Sequence, residues 1–303
     1  MSGLAEPTHQ WAKEIRGPDV SEANEAGIFK AEPLEPFVIH GQKMKKIRIL
    51  NRCFENFIAR KFVVPFIWAK TGGMVASGPF EGMKYVKDSV GSRLLPKLLG
   101  TYELELHPTI EKVCRESFDT IIDVGAAEGY YAVGMATRNP QAKIIAFETE
   151  ERGQNLIKKM ADNNGVLSRV SILGCCDAKS LSDAIPDGKK CLVMMDIEGG
   201  EVDLLDNSII QKLNKCCILV EAHECVVPGI VDIILERFKN THRFVETKER
   251  RRAAEDFPIS VSLIYRSILR KYFLLNSMNE GRYDSLFPMP EKNAGWIYLE
   301  PKL

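Results

Sequence analysis

Between residues 119 and 247 the chain repeats one pattern: a short unbroken apolar run, a polar turn, then apolar positions three and four apart. Unbroken apolar runs suit strands covered on both faces, and the three-four spacing suits helices that cover them. Strands are expected at 119–124, 143–148, 169–174, 190–196, 216–221 and 242–247. Helices are expected at 129–138, 151–163, 179–185, 201–214 and 228–239. Such alternation predicts an α/β fold, a doubly wound and mostly parallel sheet. GWIYLEP at 295–301 supplies a seventh strand after a long polar excursion, 248–294. No internal repeat is evident.

The flanks read differently. Residues 1–40 are rich in Glu, Ala and Pro with weak periodicity, which predicts a loosely ordered arm. Residues 41–118 form a helical cap region and 119–303 the main domain. Within 41–70, Ile47, Leu50, Phe54, Phe57 and Ile58 fall near helical spacing, with Arg48, Arg52 and Arg60 mostly elsewhere. A helix packed on the main domain or on a second copy of the chain is the simpler account. Membrane-surface contact through 42–69 is the sharper alternative and is not favoured.

The most informative stretch is TIIDVGAAEGYY, 120–131, followed by AFETE, 146–150. Asp123 interrupts an apolar strand near its carboxyl end, where open parallel sheets place their ligands. Gly125 and Gly129 bracket a turn in which a side chain would keep the backbone from approaching a ligand. Glu148 ends the next strand, about twenty residues on, where a carboxylate can accept from both ribose hydroxyls of a nucleoside. The spacing Gly-x-x-x-Gly lacks the central glycine that admits a pyrophosphate, which favours a nucleoside over a dinucleotide.

Three later strand ends add carboxylates. The third ends GCCDA, placing Asp177 where it can accept from an adenine amino group. The fourth ends in MDIEGGE, with Asp196 and Glu198 before a glycine turn and Glu201 opening a helix. The fifth ends ILVEAHE, bringing Glu221, His223 and Glu224 to the same edge. A histidine among carboxylates titrates near neutrality and can take a proton from a hydroxyl. Asp196, Glu198 and His223 could also hold a divalent cation, a weaker reading on spacing alone.

Composition narrows the rest. Hydrophobic content of 45% and charged content of 27% are ordinary for a globular protein, and the formal net charge is zero. Nothing global points to nucleic acid or an anionic surface. No signal-peptide core precedes residue 30 and no apolar run spans a bilayer, so a cytoplasmic protein is expected. The eight cysteines form no CxxC pair and are expected buried and reduced. Arg250, Arg251 and Arg252 form a basic run, read as a solvated face rather than an anion site.

Taken together, DVGAAEGYYA, FETE, MDIEGGEVDLL and ILVEAHE resemble the class I S-adenosylmethionine-dependent methyltransferases, most closely the FkbM-type group. The resemblance covers roughly 119–247. It implies a Rossmann-like methyltransferase fold and O-methylation, often of sugar hydroxyls in polysaccharides or natural products. It also implies residue roles. Asp123 would meet the methionine amino group, Gly125, Ala126 and Gly129 would line the methionine part, Glu148 would hold the ribose and Asp177 the adenine edge. Asp196 counts with both the cofactor set and the catalytic set, beside His223 and Glu198. Two positions depart from the family pattern, Met195 in place of a frequent lysine and Gly200 in place of a larger residue. Tyr102 and Glu103, in LLGTYELELHP, are candidates to reach the site from upstream. An NAD-dependent oxidoreductase and a non-catalytic nucleoside-binding protein are the competing expectations.

Overall fold

The computed structural model describes residues 59–248, 250, 252–259, 269 and 295–302. A π-helical turn, Ala59–Val63, leads into helices α1 (Val64–Thr71), α2 (Leu94–Leu99) and α3 (His107–Arg115). Strands and helices then alternate: β1 (Thr120–Val124), α4 (Tyr130–Arg138), β2 (Lys143–Phe147), α5 (Glu151–Asn163) and β3 (Val170–Leu173). Next come α6 (Ala178–Ala184), β4 (Cys191–Met195), α7 (Glu201–Leu204), α8 (Ile210–Leu213) and β5 (Cys216–Glu221). The chain continues through α9 (Ile230–Phe238), β6 (His242–Thr247) and β7 (Trp296–Pro301).

The seven strands form one sheet in the order β3-β2-β1-β4-β5-β7-β6. β7 runs antiparallel to both its neighbours, and the other described pairings are parallel. This is the mostly parallel, Rossmann-like sheet expected from the alternation. Chain order reverses between β1 and β4, which opens a crevice at their carboxyl ends.

Side-chain parity builds the two cores. Ile121, Ile144, Leu192 and Leu219 face α3, α4 and α5 with Ile110, Val133 and Ile157. Their alternates Ile122, Ile145, Val193 and Ile218 face α6 to α9 with Leu181, Leu213 and Ile234. Each such side chain contributes about 1.5–3 kcal/mol through burial.

Two expectations are corrected. The helix at 201–214 is two four-residue helices, because Asp206 accepts from the Ser208 amide at 2.7 Å and closes a turn between them. Arg237 donates to the Val202 and Leu205 carbonyls that this turn leaves open. Burial holds for Cys191, Cys216 and Cys217, but Cys175 and Cys225 are exposed; the seven described cysteines are all free thiols. Of the helix expected in 41–70, residues 41–58 lie outside the described residues. The remainder packs Val63 and Ile67 into the core and leaves Phe62 and Phe66 exposed. The 1–40 arm and most of the 248–294 excursion also lie outside the described residues.

Candidate functional site

The register of β1 sets the floor of the site. Asp123 pairs with Met194 of β4, and Val124 lies between Met195 and Phe147. Past β4 the chain stays beside the loop, where the Asp196 amide donates to the Val124 carbonyl at 3.0 Å. Gly125 has φ of +84°, and a Cβ there would lie 1.9 Å from the Asp196 carbonyl oxygen. The passage of the chain just beyond β4 is therefore enough to require glycine here, and Gly125 also lines the pocket above. Gly129, at φ +94°, packs against Ile157 of α5.

Above this loop is a pocket lined by Asp123, Asp196, Met194, Met195 and the 125–127 backbone. Its walls are Lys97, Tyr102, Tyr130, Tyr131 and Trp296. Tyr102–Tyr130 and Tyr131–Trp296 meet edge to face, with ring centres 5.4 and 5.9 Å apart. Asp123 is buried, and its Oδ2 has no hydrogen-bond partner. Burial, and then the neighbouring Asp196 charge, push the Asp123 carboxyl up to about 7. A buried carboxylate with an unused oxygen is complementary to an ammonium group.

Lys97, Tyr130, Tyr131 and Trp296 were not among the residues singled out from sequence. Lys97 is 3% exposed and donates at 2.6 Å to Glu128, which is 0% exposed. Glu128 sits inside the glycine loop and also accepts from the Tyr85 hydroxyl, the Ser89 hydroxyl and the Val90 amide. Burial alone would raise its pKa; Lys97 and these hydrogen bonds hold it below the ordinary carboxylate range. One loop carboxylate thus pins the upstream segment over the pocket. Of the two upstream candidates, Tyr102 lines the pocket, and Glu103 accepts from the Tyr131 hydroxyl behind it.

At the end of β2, Glu148 is held on both oxygens. Oε2 accepts from the Ala127 amide and Oε1 from the Glu150 amide, each at 2.7 Å. Gly153 makes room for it, since a Cβ there would fall 2.7 Å from Glu148 Cγ. Each oxygen keeps a second lone pair, so the carboxylate is fixed in direction and still able to accept from hydroxyls. Asp177 has a structural duty that the sequence did not signal. It is the N-cap of α6, forming a capping box with Ser180, and it does not line the pocket.

The acidic edge converges on His223, which is 4% exposed. Nδ1 lies 2.7 Å from Glu201 Oε1, and Glu201 is itself held by the Ile197 and Gly199 amides at 3.3 and 3.2 Å. Nε2 faces Glu198 at 3.3 Å, Asp196 at 3.5 Å and Glu221 at 3.8 Å. Burial alone would lower the His223 pKa; the Glu201 hydrogen bond and the surrounding carboxylates outweigh it and raise it above the ordinary value. Asp196, Glu221 and His223 each place a ligand atom within 4.8 Å of the others. The compact trio thus contains Glu221 rather than Glu198, whose side chain is 75% exposed on a left-handed backbone, φ +55°. Glu224 accepts from the Gly229 and Val231 amides at the start of α9 instead.

Among the described residues, the non-glycine residues with positive φ are Glu103, Ala127 and Glu198, and all three flank this region. Backbone held in sparsely populated conformations concentrates at functional sites. The basic run is not a solvated face at Arg252, whose side chain is buried against Glu105; Arg250 pairs with Asp256 at 2.8 Å.

No family model and no curated protein matches the chain. Among solved structures it is similar to the C-terminal domain of precorrin-6Y C5,15-methyltransferase from Rhodobacter capsulatus. That match has 10% identity over 70% of this chain and 92% of that one, with a TM-score of 0.41. A SAM-dependent O-methyltransferase from Thermotoga maritima gives 15% identity, 64% of each chain and 0.38. Ribosomal protein L11 methylase from Lactobacillus delbrueckii subsp. bulgaricus gives 16% identity, 51% and 75% coverage, and 0.37. At such identities and scores the likeness carries no inference about activity. No helix among the described residues is long and apolar enough to cross a membrane.

Proposed function

We propose that the protein is an S-adenosylmethionine-dependent O-methyltransferase acting on a hydroxyl of a sugar, glycan or natural product. The observation that carries this reading is the Asp123 carboxylate, buried with an unused oxygen in an aromatic pocket beside Lys97. The pair suits the two charges of an amino-acid zwitterion: Asp123 for the ammonium, Lys97 for the carboxylate. Tyr102, Tyr130, Tyr131 and Trp296 line the pocket, and the negative face of such a ring attracts a sulfonium. Glu148, aimed by two amides, would accept from the ribose hydroxyls, and Asp177 would meet the adenine edge through the oxygen not used in capping.

When bound, the cofactor supplies an activated methyl, transferred to the acceptor oxygen as the sulfur–carbon bond breaks and its electron pair stays on sulfur. The chain then has two tasks, to align an acceptor oxygen and to receive its proton. Asp196 lines the pocket and His223 stands behind it, so the Asp196–His223 pair takes the proton, with Glu201 orienting the ring. The acidic edge supplies acceptors for further hydroxyls of a polyol.

Calorimetric titration tests this reading. S-Adenosylmethionine is expected to bind with a Kd on the order of micromolar and NAD not at all. Glu148→Gln should weaken binding roughly 10–100-fold, the loss of a charged acceptor. A folded protein that ignores S-adenosylmethionine would overturn the proposal.

A further inference from the structure

We infer that Asp196, Glu221 and His223 form a binding site for one divalent metal ion at the carboxyl ends of β4 and β5. Ligand atoms sharing a cation at about 2.0–2.2 Å stand about 3–4.4 Å from one another. His223 Nε2 lies 3.5 Å from Asp196 Oδ1 and 3.8 Å from Glu221 Oε2, inside that range, and the whole trio spans no more than 4.8 Å. A small inward shift of one carboxylate closes the set.

A second observation concerns the ring rather than the carboxylates. Nδ1 is anchored 2.7 Å from Glu201, whose side chain is 0% exposed. With its proton directed there, the ring presents the Nε2 lone pair to the trio. Metal-ligating histidines are oriented in this way by a carboxylate on the other nitrogen. Glu201 Oε2 is buried with no hydrogen-bond partner, so His223 is the side chain that Glu201 serves. Glu198 Oε2 lies 3.3 Å from Nε2 on a side chain that is 75% exposed, so the trio borders solvent. One nitrogen and two carboxylates make a donor set for Mn2+, Zn2+ or a similar divalent ion rather than for Ca2+.

The site adjoins the pocket through Asp196, so a bound cation would lower the pKa of an acceptor hydroxyl placed there. It would thereby take over the promotion of proton loss from the Asp196–His223 pair, whose Nε2 lone pair it occupies. That role rests on the methyltransferase reading; the binding itself does not. The test uses the full chain, stripped with a chelator and titrated with Mn2+ alone, without cofactor or acceptor. Electron paramagnetic resonance should show one Mn2+ per chain. Pulsed measurements should show nitrogen modulation from a directly bound imidazole. His223→Gln and Glu221→Gln should each weaken binding at least tenfold, and Glu201→Gln roughly 10–100-fold. Should a variant fail to fold, the nitrogen signal of the unaltered chain decides. Absence of Mn2+ binding, binding without nitrogen modulation, or unchanged affinity in a folded His223→Gln would overturn the inference. Mn2+ binding by a protein that ignores S-adenosylmethionine would remove the methyltransferase reading and leave the metal site standing.

Discussion

Asp123 shows how a single buried side chain can be destabilising and useful at once. Its carboxyl titrates near 7 in the folded chain, against an ordinary value of 3.8. Between those values the folded state keeps a proton that the unfolded chain has released, so this residue's contribution to stability falls as pH rises, then levels off above about 7. Ligand binding has the opposite slope. An ammonium needs the ionised form, so affinity for S-adenosylmethionine should rise roughly tenfold from pH 6 to pH 8, following the ionised fraction. Calorimetry at both values checks this, and Asp123→Asn should bind weakly with no such rise. Asp123 and Glu148 were legible in sequence because each ends an apolar run. Glu221 was visible at the same edge, but its approach to His223, 3.8 Å from Nε2, depends on how the ends of β4 and β5 lie side by side, which no local pattern records.

Elements were read to within a residue or two wherever burial on both faces left no polar position in a strand, as in β4, CLVMM. The break between α7 and α8 escaped because Leu204, Leu205, Ile209 and Leu213 keep a helical rhythm across the turn at Asp206. The clamp of the upstream segment escaped for another reason. Glu128 meets Lys97 and Tyr85 across 31 and 43 residues, and no local period records such a contact. Glu128→Gln removes the charge opposite a buried lysine and should cost about 3–5 kcal/mol, measured by urea unfolding. Glu128→Gln combined with Lys97→Met should recover part of that loss, the coupling expected of a direct pair.

For the molecule as a whole, the strand order places β7 between β5 and β6, although β6 precedes it by about fifty residues. Ile297 of β7 is 1% exposed within the second core, so Ile297→Ala should cost about 2–5 kcal/mol in the same unfolding measurement. Trp296, at the start of the same strand, walls the pocket. A chain emerging from the ribosome can therefore assemble its five parallel strands early, but among the described strands β6, with Phe244 and Val245 exposed, pairs only with β7 at residues 296–301. Synthesis itself then acts as a timer: the pocket gains its Trp296 wall only when the strand that docks β6 has left the exit tunnel.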